Sequence, residues 1–258
     1  MSARRVSVPL LLTACCALAA CGDPESLGGS GPDGAPIRVQ VLDPSVEQMV
    51  LADAAVLQRL LALGVDESEV KVVEDELHVY APGADDGLLR EALHGSAELE
   101  FRPVLAPPLD PAGGEEPTPR GEVAADEEVV LATEDGTLYR LGPAGVTGAA
   151  IESAEAGLQG TQWAANVVLK SGAEGIGPFN ELASQCYQGE VTCPATTDAV
   201  GAVAIVWNNV VLSAPTIQQP TFERDQISIS GTFDERSATV LAAKLASASK
   251  PVELRVLD

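Results

Sequence analysis

IRVQVLDPSVEQMVLADAAVLQRLLALGVDESEVKVVEDELHVYAPGADDGLLREALHGSAELEFR, Ile37–Arg102, alternates between strand and helix periodicity, and those switches spell out a fold. Ile37, Val39 and Val41 alternate with Arg38 and Gln40, as in a half-buried strand. Ser45 and Gln48 form a capping-box signal at a helix start. Val46, Val50, Ala54, Leu57 and Leu61 then recur at helical spacing and mark an apolar face, on which Asp53 also falls. Gly64 ends that run. Two strands follow, near Val70–Val73 and Leu77–Ala81, across an acidic turn at Glu74-Asp75. Pro82-Gly83 breaks the chain, Asp85–Leu93 reads as a short helix, and Gly95 stops it. Ala97, Leu99 and Phe101 then alternate with Glu98, Glu100 and Arg102. Strand, helix, strand, strand, helix, strand predicts an α+β, ferredoxin-like base over residues 37–105, one sheet face covered and the other wet.

Outward from that base, Pro103–Glu128 is rich in proline, glycine and acids and reads as a mobile linker, 106–128, dividing two lobes. Residues 129–249 form an α+β head. It opens on a hairpin around Asp135-Gly136, a pair that favours primed turns. Ile151–Leu158 and Trp163–Leu169 are two more strands. Ser171 caps a helix whose regular part is delayed by Gly175, Gly177 and Pro178 until about Phe179–Gln185. Ala202–Trp207 and Val210–Ser213 form a hairpin across Asn208-Asn209. Thr232 and Glu235 give another capping box, and Ala238, Leu241, Ala242 and Leu245 stripe the last helix. Residues 250–258 alternate again and are expected to return to the base sheet as a strand, with Pro251 at its start, where a missing donor is tolerated.

Several stretches carry a family resemblance. AIVWNNVVLSAP (Ala204–Pro215) followed by ISISGTFDERSATVLAAKL (Ile227–Leu245) resembles the SecD subunit of the Sec export machinery, as do LGVDESEVKVVEDELHVYAPG (Leu63–Gly83) and AELEFRPVL (Ala97–Leu105). LGPAGVTG (Leu141–Gly148) and SGAEGIGPFNELASQCYQGEVTC (Ser171–Cys193) resemble the actinobacterial form. The resemblance implies a ferredoxin-like base carrying an inserted head, together the first extracytoplasmic domain of SecD, which engages a preprotein emerging from the channel. In that family, membrane-embedded acids and an arginine couple its movement to proton flow. This sequence shows no such spans, so a passive, lipid-anchored ectodomain is expected. Trp207-Asn208-Asn209 stands where the family usually has Leu-Asp-Gly. Asparagine tolerates positive φ, so the turn should survive. Trp207 reads as core.

Residues 1–20 read as a signal peptide: Arg4 and Arg5, then a mostly apolar run to Ala20. Leu18-Ala19-Ala20-Cys21 resembles a lipobox, with diacylglycerol on the Cys21 sulfur and the mature chain on the outer face of the bacterial cytoplasmic membrane. An ordinary signal peptide with an incidental cysteine is the alternative. Residues 21–36 form a flexible tether reaching roughly 20 Å. No later apolar run approaches the ~20 residues a membrane helix needs. The formal charge is −23, and losing Arg4 and Arg5 would take it to −25. Such a surface repels nucleic acid and anionic lipid. The SecD resemblance implies preprotein chains and Sec translocon subunits as partners.

Catalytic and cofactor chemistry has little raw material, so neither an enzyme nor a bound cofactor or metal is expected. His78 and His94, the only histidines, have no cysteine or carboxylate at metal-ligand spacing. Asp85-Asp86 reads as a helix start. Cys186 and Cys193 read as a small looped disulfide in an oxidising compartment, with a redox pair as the alternative. The remaining site hypothesis is an exposed apolar surface on the head, with Phe179, Leu212 and Ile217 accepting polypeptide and Leu182 and Val211 nearby. Plain core packing suits Leu182 and Val211 better. Aromatic residues make up only 3% of the chain, so such binding should be weak. An envelope scaffold reusing this fold is the competing reading.

Overall fold

The computed structural model describes residues 34–42, 44–109, 116–119, 123–196, 200–250 and 252–257. The expected signal peptide, Cys21, most of the expected tether and Pro251 lie outside the described residues.

The base begins with β1 (Ile37–Val41), α1 (Val46–Ala62), β2 (Glu69–Val73), β3 (Glu76–Tyr80) and α2 (Asp86–Leu93). Ser45 caps α1 by accepting from the Gln48 N–H at 3.1 Å, and Asp85 caps α2 by accepting from Leu88 at 2.6 Å. Asp86 pairs with Arg90 one turn on at 2.8 Å, so the Asp85-Asp86 doublet starts a helix. One sheet face is apolar and packed under the helices, built from Ile37, Val39, Val41, Leu77 and Val79. The other carries Arg38 bound to Glu76 at 2.7 Å, His78 beside Glu76 at 3.4 Å, and Lys71 over the Tyr80 ring.

Two expectations for the base change. The next strand, β4 (Leu99–Pro103), leaves for a different sheet, and the base sheet is completed instead by β13 (Leu254–Val256), giving the order β13-β1-β3-β2, all antiparallel. Alternation reveals a strand but not its partner. The Val46–Leu61 stripe of α1 is also the exposed face. The buried residues are Ala52, Ala55, Val56, Arg59 and Leu60. Arg59 can be buried because its guanidinium donates to Ser247 Oγ at 2.9 Å and to the carbonyls of Ala92 and Gly95 at 3.1 and 3.2 Å. Burial pushes it down to about 10, so it stays charged at neutral pH.

The head contains β5 (Val129–Ala132), β6 (Leu138–Leu141), β7 (Val146–Thr147), β8 (Ile151–Gln159), β9 (Gln162–Leu169), α3 (Ile176–Gln188), β10 (Val203–Trp207), β11 (Val210–Ser213), β12 (Ile227–Ser230) and α4 (Glu235–Ala246). Its central sheet has the order β11-β10-β4-β7. One face of that sheet, with Leu99, Phe101, Val203 and Ile205, packs with α3, α4 and the β12-β9-β8 sheet. The other, with Val104, Ala204 and Val206, is covered by the β5–β6 hairpin. Helix α4 lies between β8–β9 and the base helices, buried on nearly every side (Ala238, Val240, Leu241, Ala242, Ala243, Leu245).

Local corrections have local causes. Arg102, expected on a wet strand face, is fully buried: it pairs with Glu100 at 2.7 Å and donates to the carbonyls of Ala124, Glu127 and Gly142. Those bonds, with Leu109 N–H to Leu138 and Thr118 N–H to Val130, fasten the described parts of the expected linker to the head. The Asp135-Gly136 turn has positive φ only at Gly136 (+89°) and is not primed, whereas Asn208 and Asn209 (φ +47° and +65°) do form the type I′ pattern. The last helix is capped by Asp234, not Thr232; its carboxylate accepts from the Ser237 hydroxyl at 2.6 Å and from the Ser237 N–H at 2.8 Å, which together hold its pKa below the usual range. Helix α3 starts at Ile176, earlier than expected. Ile176 N–H reaches Lys170 O at 2.9 Å, and a Cβ on Gly175 would sit 2.2 Å from that oxygen.

Cys186, on α3, is joined to Cys193 with Cα atoms 4.7 Å apart. Closing so short a loop contributes about 2.5 kcal/mol in the chain-entropy model. The double variant Cys186→Ala/Cys193→Ala should lose that much in urea unfolding. Non-reduced mass analysis of the wild-type chain should show no free thiol at either position.

Candidate functional site

The head sheets meet along a groove. Its apolar part, about 150 Å³, is lined by Phe101, Phe179, Val203 and Ile205, with Pro215–Ile217 on one side and Phe222 and Ile227 on the other. The rings form a ladder: Phe101 meets Phe179 edge-on at 5.4 Å, and Phe179 meets Phe222 at 5.6 Å. Phe222 belongs to an irregular loop, yet it is fixed. Asn180 of α3 accepts from the Phe222 N–H at 2.8 Å and donates to its carbonyl at 3.1 Å.

A polar hollow of about 390 Å³ adjoins it, sharing Phe222 and Gln226–Ser228 and adding Gln159, Asn166, Gln219 and Asp225. Strand β12, which contributes Ile227 and Ser228 to both hollows, is an edge strand, paired among the described residues only to β9. The Ser228 hydroxyl is buried and has no hydrogen-bond partner among the described residues. Such a group costs about 1–3 kcal/mol when left unpaired, and an incoming acceptor or donor would relieve that cost. Apolar floor, amide-lined flank and free strand edge together suit an extended polypeptide: a side chain on the aromatics, its backbone along β12 and the amides.

The sequence-derived residues land here unevenly. Phe179 and Ile217 line the groove, but buried as its floor and side, not as exposed contacts. Leu212 is half-buried against the head core and does not line the groove, while Leu182 and Val211 are core. The reason is that α3 turns Phe179, Leu182, Ala183 and Cys186 inward as one face. Phe101, Asn180, Phe222 and Ser228 were missed. Only the scarcity of aromatics could have marked Phe222, since its loop has no periodicity. Among the described residues no group of three His, Cys, Asp or Glu could hold a metal, and no helix is long and apolar enough to cross a membrane.

An α+β protein whose ferredoxin-like base is interrupted by a three-sheet head has known counterparts. Residues 126–252 match the family described as SecDF, P1 head subdomain. The protein translocase subunit SecD of Rickettsia bellii (strain RML369-C) is 43% identical over 81 residues, 31% of this chain and 15% of that protein. The crystal structure of SecDF in super-membrane-facing form superimposes with TM-score 0.60 at 21% identity, over 93% of this chain and 32% of that one. A structure of SecDF, a membrane component that enhances protein export, gives TM-score 0.58 at 24% identity, over 86% of this chain and 97% of the other. The fold is that of the SecDF structures; in sequence, residues 126–252 are similar to the SecDF P1 head subdomain, and the chain spans 15% of the SecD relative it matches.

Proposed function

We propose that this chain is a lipid-anchored, extracytoplasmic SecD-like domain that assists Sec-dependent export by passive, reversible binding of emerging preprotein, docking to Sec subunits as it does so. The observation that carries the reading is the unpaired Ser228 hydroxyl on a free strand edge beside the Phe101–Phe179–Phe222 ladder. Support for the export context comes from the SecD and SecDF likenesses. The anchor is Cys21 and the leader is residues 1–20.

A photo-crosslinker at Gln226 or Thr216, both at the groove, tests this in intact cells. Adducts with nascent secreted chains are expected. A single envelope protein as the only adduct would replace the reading with a scaffold role. Asn180→Ala, which frees the Phe222 loop, should reduce preprotein adducts severalfold while the chain stays folded; unchanged adduct yield would take the groove out of the reading. For the anchor, Cys21→Ser should move the protein from the membrane fraction to the soluble extracytoplasmic fraction.

A further inference from the structure

The α1 face that the core does not use is a patterned surface. Val46, Val50, Leu57 and Leu61 are exposed, from 39% at Leu57 to 86% at Val46, and Val72 on edge strand β2 is 56% exposed beside them. With Asp53 the stripe steps by four, three, four and four residues, the spacing of one ridge running about 22 Å along the helix. A groove of about 470 Å³ lies at its start, lined by Val46, Met49, Val50, Asp53 and Val72 with Glu74 and Asp75. At its end a second groove runs between Leu61 and β8, where Glu152 and Glu155 contribute carboxylates. Glu152 is engaged by Arg224 at 2.6 Å; Asp53 has no hydrogen-bond or ion-pair partner among the described residues. Lys250 approaches α1 at Gln58, which accepts from its amine at 2.7 Å.

From this we infer that the α1 face docks a cationic amphipathic helix of a partner protein, seated along Val46–Leu61 with a lysine or arginine of its apolar seam on Asp53. The charges choose between occupants. A second copy would set Asp53, Glu74 and Asp75 against the same acids in a chain of formal charge −23. An anionic bilayer surface meets the same repulsion. A basic helix reverses the sign of every one of these terms, and its apolar residues fill a ridge that a strand's two-residue repeat would not match. The site is separate from the head groove and stands whether or not that groove holds preprotein.

A synthetic 20-residue helical peptide tests it, with leucines at every third and fourth position, one lysine in the middle of that seam and lysines on its flanks. A partner peptide carries glutamate for lysine. With the full chain, the lysine peptide should bind and shift backbone amide resonances of residues 46–61 and 72–75. Asp53→Lys should weaken it about tenfold or more and favour the glutamate peptide instead. Val50→Asp/Leu57→Asp, both at exposed positions, should abolish binding with the circular dichroism spectrum unchanged. In cells, photo-crosslinkers at positions 50 and 57 should capture a protein through a segment with a basic residue in an apolar helical seam. Equal binding of both peptides, shifts confined to the head groove, binding that survives the double variant, or crosslinks joining two copies would each overturn the inference.

Discussion

Arg59→Ala is expected to cost about 3–4 kcal/mol of folding stability, lowering the thermal midpoint by about 10 °C. The side chain is wholly buried and carries its charge on hydrogen bonds alone. Its donors reach Ser247 just beyond α4 and the carbonyls of Ala92 and Gly95 at the end of α2. Truncation therefore opens a cavity and strips a donor from two carbonyls and from the Ser247 hydroxyl, which keeps only its bond to the Lys244 carbonyl, at the point where α1, α2 and α4 converge. Lys244, on α4, is held below its usual pKa by burial and then by the charge of Arg59. Arg59→Met keeps most of the volume and removes both the buried charge and that repulsion, so it should lose clearly less than alanine. Urea unfolding of both variants checks the ranking. If methionine is as damaging as alanine, the hydrogen bonds matter more than the space.

Arg102→Ala should be at least as severe, about 3–5 kcal/mol, because it leaves a carboxylate unpaired as well as three carbonyls. Glu100 faces Arg102 at 2.7 Å with little solvent access, and Ala124, Glu127 and Gly142 depend on the same guanidinium. Arg102→Lys should recover little, since one ammonium cannot span acceptors arranged around a planar fork. Limited proteolysis offers a second readout. Cleavage near residues 123–128 should appear in the variants before global unfolding, because Arg102 is what binds that segment to β4. A variant that loses stability without faster cleavage there would show that the segment is held by other contacts.

Both arginines mark the limit of what periodicity reveals. The six base elements and most head elements can be read from the chain because their apolar spacing is local. Which face of α1 turns inward cannot be read this way. Apolar residues run along two faces, and the charged residue that would normally settle the matter, Arg59, lies on the buried one. Arg102 misleads in the same manner on β4. The partner of β4 was hidden for a different reason, since its neighbours β7 and β10 lie about 45 and 100 residues away and nothing in a strand's own sequence names its mate. The groove shows the same division. Phe179 and Ile217 were visible as apolar head residues, whereas Asn180 acquires its role only when Phe222 folds back onto it.

The clasp between β1 and β13 has a mechanical consequence. Val39 faces Val256, Gln40 faces Arg255 and Val41 faces Leu254, and Leu257 N–H still reaches Arg38 O. Being antiparallel neighbours, the two strands bring the entry and exit of the described chain to the same end of the sheet. Tension applied through both flanks would load these pairs one after another, as in a zipper, instead of shearing them together. A small force would peel the two flanks apart there before much of the load reached the head, which precedes β13 in the chain.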